Sequence, residues 1–437
     1  MKLHKSIKCA IIFMCAALLL LIQFTFPVCA ADFNGNLHAE NICVMNTEYS
    51  EAVYTKNADK KIAPGPSAKI LAGVLAFEHY AGNEEKLVTV TSAALSDIYG
   101  GAVINLKEGE QIRAIDLIYA MIVGGASDAA NALAIDIAGN VTEFVAMMNR
   151  KAREIGATST VYANPTGLDA RGAHTTARDT ALIACYARKN QKYMQACNTK
   201  TYKIPESETS KARTVYTKNA FLANYSTSKY LYSKAEGMSV GFTDDAGRCV
   251  ITSASEKAFS FVCVVMGSKD GSGGEMYAYT DAKALIEWAL GNFALIKISG
   301  TADVIGELPV SLSKQRNYVT VAAKNDVFAF LPKDTDTSKI VRTAEYYEKS
   351  LTAPVRRGTE VGELTLALDG KVLGKVPIIT KLDAERSASL SLKASIKNAM
   401  KSKPFVIAIS VIIAITVLFT FVRIFVLMKK ANTKKIT

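Results

Sequence analysis

The sequence predicts a mixed α/β domain over residues 33–292, a small all-β domain over 293–381, a helical stalk over 382–403 and one transmembrane helix over 404–428. Three observations carry this. Strand-like runs and helical apolar periodicities are interleaved as far as residue 292. From about residue 293 the helical period stops, and short alternating strands separated by turn residues take over. Near the C-terminus, residues 405–428 are apolar except for Ser410, Thr416, Thr420 and Arg423, long enough to cross a hydrocarbon core of roughly 30 Å.

At the other end, Lys2, Lys5 and Lys8 precede an apolar run over 9–28, and Val28-Cys29-Ala30 offers small residues for cleavage. Residues 1–30 therefore read as a secretory signal; an uncleaved anchor is the alternative. Two short strands follow, 41–45 and 52–54, around a polar turn. A helix is expected to open at Pro66, since proline is tolerated in a first helical turn, where its missing N–H would be unpaired. Further helices are expected over 114–138, interrupted by Gly124-Gly125, over 141–155 with Phe144, Met147 and Met148 on one side, and over 177–187. Residues 249–252 and 259–265 read as paired strands. Beyond 293, strands are expected at 318–321, 327–330 and 364–368, the last turning at Asp369-Gly370 into Val372, Val376 and Ile378. The all-β domain reads as a sandwich, and the polar stretch after it as helix-prone.

The net charge of +12 does not indicate nucleic-acid binding. Three basic residues lie in the signal and seven from Lys401 onward, with no acid in either segment, so the region between is close to neutral. Lys429, Lys430, Lys434 and Lys435 follow the apolar span and place 429–437 in the cytoplasm. Five cysteines remain outside the signal, Cys43, Cys185, Cys197, Cys249 and Cys263; none forms a C-x-x-C pair, so no metal site is read, and one or two disulfides stay open. His38, His79 and His174 lie outside any nucleophile-elbow context. Asp244-Asp245 reads as a solvated turn.

Several blocks carry a resemblance. Tyr54-Thr55-Lys56-Asn57-Ala58-Asp59-Lys60-Lys61 precedes the helix containing Lys69. Leu106-Lys107-Glu108-Gly109-Glu110 and Asp116-Leu117-Ile118-Tyr119-Ala120 come next, then Asn164-Pro165-Thr166-Gly167-Leu168-Asp169 with His174-Thr175-Thr176-Ala177-Arg178-Asp179. Gly241-Phe242-Thr243-Asp244-Asp245-Ala246-Gly247-Arg248-Cys249 follows. Leu351-Thr352-Ala353-Pro354-Val355 with Gly358, and Gly374-Lys375-Val376-Pro377, close the series. In this order and spacing they resemble the D-alanyl-D-alanine carboxypeptidases, the low-molecular-mass penicillin-binding proteins of the serine peptidase S11 type, over residues 41–381.

The resemblance implies the serine β-lactamase/transpeptidase architecture, an antiparallel sheet with helices on its faces and a helical subdomain. It also implies a cofactor-free site built on three motifs. In Ser-x-x-Lys the serine attacks the carbonyl of a D-Ala-D-Ala peptide and the lysine takes its proton. In Ser-x-Asn the serine relays protons and the asparagine holds the substrate. In Lys-Thr-Gly the lysine and threonine bind the substrate carboxylate. By position, this chain has Pro66-Ser67-Ala68-Lys69, Gly125-Ala126-Ser127 and Ser239-Val240-Gly241. Only Lys69 and Gly241 match.

Two readings follow. In the first, the chain is a catalytically inactive member that binds peptidoglycan stem peptides or a cell-envelope protein as a membrane-anchored scaffold. In the second it is an active carboxypeptidase, with Ser67 as nucleophile and Lys69 as base. Residues two apart on a helix point about 200° from each other, which disfavours that pair. Ser67 is otherwise a polar first-turn residue, Ser127 a helix N-cap, Lys69 a buried amine on a local carbonyl or carboxylate, and His174 a packing or capping residue.

Overall fold

The computed structural model describes residues 33–225, 227–256 and 259–433; the signal read over 1–30 and the last four residues lie outside them. The chain divides into two units, residues 1–295 with 330–334, and residues 296–329 with 335–437.

In the first unit, β1 (Asn41–Asn46) and β2 (Glu51–Lys56) form the expected hairpin. A 3₁₀ turn, Gly65–Ser67, runs into α1 (Ala68–His79). The short strands β3 (Leu87–Thr89) and β4 (Gln111–Arg113) pair antiparallel. Helices α2 (Ala114–Gly124), α3 (Ser127–Ala138), α4 (Val141–Ile155), α5 (Ala177–Arg188) and α6 (Gln191–Cys197) follow. Then come the ribbon β5 (Thr201–Ile204) and β6 (Arg213–Tyr216), the strands β7 (Ala235–Thr243), β8 (Gly247–Glu256) and β9 (Phe259–Ser268), and α7 (Tyr277–Asn292). Side chains set the helix starts: Asn140 accepts from the Glu143 amide at 2.9 Å, and Thr176 from the Asp179 amide at 3.0 Å.

The main sheet has the order β2-β1-β9-β8-β7, antiparallel throughout. Strand alternation sends its side chains to two cores. Cys43, Ile251, Val262 and Val264 join one core with α1, α2, α3 and α5. Ile42, Val44, Val250, Cys263 and Val265 join the other with α7. A strand buried on both faces must be apolar at nearly every position, which is why 261–266 reads FVCVVM. Each such buried side chain contributes about 1.5–3 kcal/mol.

Sequence periodicity missed α6, α7 and the strands β3 to β6. Small or polar residues interrupt the stripes of α6 and α7, and β3 to β6 are only three or four residues long. The five cysteines 43, 185, 197, 249 and 263 are all buried free thiols, so none of the open disulfides forms. Burial pushes the Cys43, Cys185, Cys197 and Cys249 thiols up to about 12.

The strands β10 (Phe293–Ser299) and β13 (Val327–Pro332) pair as a ribbon. The second unit holds a six-stranded sheet built from β11 (Gly306–Ser311), β12 (Tyr318–Ala323), β14 (Val341–Tyr346), β15 (Leu351–Thr352), β16 (Glu360–Leu368) and β17 (Lys371–Thr380). Its order is β14-β16-β17-β12-β11-β15. The β16–β17 hairpin turns at Asp369 (φ 48°) and Gly370 (φ 82°), the two left-handed residues a tight hairpin requires. Helix α8 (Ala388–Lys401) falls in the stretch read as helix-prone, and α9 (Lys403–Thr433) follows. Its stretch Lys403–Met428 has a mean hydropathy of 2.9 and is unburied, long and apolar enough to cross a membrane.

Candidate active site

Four pieces of the first unit line one cleft of about 350 Å³: the 3₁₀ turn with the first turn of α1, the α2–α3 junction, the loop at 166–168, and β7. Backbone features let them approach. Gly65 is left-handed at φ 51°, and a Cβ there would meet the Ala246 Cβ at 2.7 Å. A Cβ on Gly167 would strike the Gly65 carbonyl oxygen at 1.9 Å, so only glycine lets that loop lie against the turn.

Pro66 faces β7. A Cβ on Gly241 would sit 3.1 Å and 3.3 Å from the Pro66 Cβ and Cγ. Residue 66 therefore presents a hydrocarbon ring to the strand, with neither a hydroxyl nor a backbone N–H to donate. Ser239, also on β7, donates its hydroxyl to the Pro66 carbonyl at 2.7 Å. Between them Val240 turns to the opposite face and packs with the core under α7.

Ser67 is only 1 % exposed, and its hydroxyl donates to the Pro64 carbonyl at 2.6 Å. It caps nothing in α1. Lys69, on the next turn, is half-buried and donates its Nζ to the Thr166 carbonyl. Desolvation pushes its pKa down to about 8. The carbonyl is presented by a loop built around Asn164. Its Oδ1 accepts from the Thr166 hydroxyl at 2.8 Å and the Gly167 amide at 2.7 Å, and its Nδ2 donates to the Leu168 carbonyl at 2.9 Å. This is the physical content of the Asn-Pro-Thr-Gly-Leu block, a loop-shaping role that the sequence reading did not assign.

Gly125 ends α2 in the left-handed region at φ 71°, and its amide bonds the Ala120 carbonyl. The N-cap expected at Ser127 is absent. Ala126 holds the cap position, Ser127 lies inside α3, and its hydroxyl is fully buried with no hydrogen-bond partner among the described residues. Asp128 takes over local amide pairing, accepting from Ile104 and Leu106 at 3.1 Å and from Ala129 at 2.9 Å. His174 neither caps nor opens a helix. It sits in an isolated bridge to Val161, its Nδ1 2.9 Å from the Gly172 carbonyl, and Thr176 is the cap. Asp244 and Asp245 are exposed in the β7–β8 turn as expected. Among the described residues no cluster of His, Cys, Asp and Glu could hold a metal. Thr217, Lys218 and Asn219 also line the cleft and carried no sequence signal, because they belong to an irregular segment.

A helix-start turn bearing a lysine, a helix-junction loop and a sheet strand converging on one cleft define the penicillin-binding class of serine acyl-transfer folds. The chain belongs to the D-alanyl-D-alanine carboxypeptidase family, peptidase S11, which it matches over residues 28–270, and residues 293–386 match the penicillin-binding protein 5 C-terminal domain. It is 24 % identical over 367 residues to the D-alanyl-D-alanine carboxypeptidase DacF of Bacillus subtilis, covering 84 % of this chain and 91 % of that one. It is 26 % identical over 340 residues to DacC of Escherichia coli, covering 75 % and 80 %. Penicillin-binding protein 5 of Haemophilus influenzae superimposes with a TM-score of 0.61 at 25 % identity, over 82 % of this chain and all of that one. A peptidoglycan synthesis regulatory factor (PBP3) of Streptococcus pneumoniae shares the fold, with a TM-score of 0.63 at 21 % identity over 80 % of this chain and all of that one.

Proposed function

We propose that this member of the family is catalytically silent and serves as a membrane-tethered binding protein at the cell wall, holding peptidoglycan stem peptides or an envelope protein without cleaving them. The observation that carries this is Pro66, a ring packed on Gly241 at the position of the nucleophile. Without a hydroxyl there is no acyl-enzyme. Gly125, Ser127, Ser239 and Val240 support it, since each departs from the family's proton-relay, substrate-holding or carboxylate-binding residue.

Ser67 as a substitute nucleophile is disfavoured, because its buried hydroxyl is engaged in donating to the Pro64 carbonyl. In the same proposal, residues 1–30 direct export, 33–292 carry the cleft and 293–381 form the β-domain. Residues 382–403 are a stalk, 404–428 anchor the chain in the membrane and 429–437 face the cytoplasm.

Incubation of the detergent-solubilised protein with a labelled β-lactam, followed by mass spectrometry, tests this. The expected result is no covalent adduct and no D-Ala release from a pentapeptide. An adduct on Ser67 would overturn the proposal in favour of the rearranged Ser67/Lys69 enzyme.

A further inference from the structure

The cleft is lined by Lys69, Lys218 and Arg248, and by no aspartate or glutamate among the described residues. Arg248 is neutralised by a two-point pair with Asp270, both contacts at 2.5 Å. Asp169, beside the rim, is held by the Thr243 hydroxyl at 2.7 Å and the Asp245 amide at 3.0 Å. Lys69 and Lys218 have no carboxylate within ion-pairing distance among the described residues; the Lys69 amine has only the neutral Thr166 carbonyl. A cleft whose charges are all positive concentrates anions. A second observation points the same way. The Ser127 hydroxyl lines this cleft, is fully buried and has no partner among the described residues, and a buried unpaired hydroxyl costs about 1–3 kcal/mol. At the other end, Ser239 is already engaged with the Pro66 carbonyl and brings no charge.

We propose that the cleft receives the oxyanion group of its ligand, a peptide C-terminal carboxylate or a phosphate, at Lys69, Lys218 and Ser127 rather than at the Ser239–Gly241 strand. The polarity of binding is thereby moved from the sheet strand to the helix start and the α2–α3 junction. This rests on the proposal that the cleft binds without cleaving. A volume of about 350 Å³ suits a small ligand or the end of a peptide. The amine, lowered to about 8 by burial, is still largely protonated at neutral pH.

The test is calorimetric titration of the full chain in detergent micelles at pH 7 with three probes: diacetyl-L-Lys-D-Ala-D-Ala, its C-terminal amide, and inorganic phosphate. The carboxylate peptide or phosphate is expected to bind, and the amide at least tenfold more weakly than the acid. Tight binding of the peptide alone assigns a peptide terminus, and of phosphate alone a phosphate ester. Lys69→Met is expected to weaken binding at least tenfold, and Lys218→Ala, at an exposed position that does not burden folding, about threefold. Measurable and equal binding of acid and amide, binding unchanged in both variants, or no binding of any probe overturns the inference. D-Ala release, monitored in the same cell, separates the two proposals. Release without dependence on Lys69 or Lys218 overturns both; uncleaved binding that ignores these lysines overturns only the site assignment.

Discussion

The Ser239 hydroxyl donates to the carbonyl of Pro66 at 2.7 Å, joining the two positions where the family's third and first motifs have lost their lysine and serine. The cleft wall is closed there by a neutral hydrogen bond and by the Pro66 ring on Gly241. Restoring one residue therefore does not restore a charge pattern.

Pro66→Ser alone is expected to give no measurable D-Ala release from a pentapeptide. The new hydroxyl would sit near Lys69, but Ser239 cannot supply the lost cation and Gly125 cannot relay a proton. Substantial turnover in a D-Ala release assay would show that acyl transfer in this cleft does not need the third motif's lysine.

The contribution of Lys69 to stability is expected to rise as pH climbs from about 8 towards the ordinary lysine range, against the opposite slope of the buried cysteines, whose raised pKa keeps them protonated in the folded chain. Burial lowers the Lys69 pKa to about 8 in the folded state. In that window the Lys69 site binds more proton in the unfolded chain than in the folded one, so its own contribution to the slope of unfolding free energy with pH is positive. Urea midpoints of the native chain and of Lys69→Met, measured across the window, check this: the variant is expected to lose stability more steeply as pH rises, because it lacks the opposing lysine contribution. An unchanged slope in the variant would assign it to other groups.

Gly125→Ser, which would put back the first residue of the second motif, is expected to destabilise the fold by about 1–2 kcal/mol, because a side chain is strained in the left-handed region. The φ of 71° ends α2 there, and nothing lies within 4 Å to clash, so the cost is backbone strain alone. Gly125→Ala should lose about as much in urea melts. A neutral result for both would mean the α2–α3 junction adapts.

Asn164→Ala is expected to cost about 2–4 kcal/mol, since it removes three hydrogen bonds of the 164–168 loop, each worth about 1 kcal/mol net. The loop presents the Thr166 carbonyl to Lys69, so the same change should raise the Lys69 pKa by letting water reach the amine. NMR titration of a labelled lysine would show the shift; an unmoved pKa would mean that the carbonyl stays in place.

The sequence by itself determined the elements whose apolar period is long or whose ends are marked. Helix α4 begins and ends as read, because Asn140 caps it and Gly156 closes it. The hairpin at Asp369-Gly370 and the span after Lys403 were legible for the same reason, local chemistry acting within a few residues. So was the departure of all three motifs, since identity needs no geometry. Tertiary structure alone decided what the substituted residues do. Ser127 looked like a cap from its neighbours, yet Ala126 takes the cap position and the serine's hydroxyl is left buried and unpaired. Ser67 and Ser239 each reach a backbone carbonyl, one three residues away and one 173 residues away. The acid-free lining of the cleft also appears only when residues 69, 127 and 218 are brought together. Hydrogen bonds and electrostatic fields depend on distances in space, and sequence spacing fixes those only within a turn or two of a helix or strand.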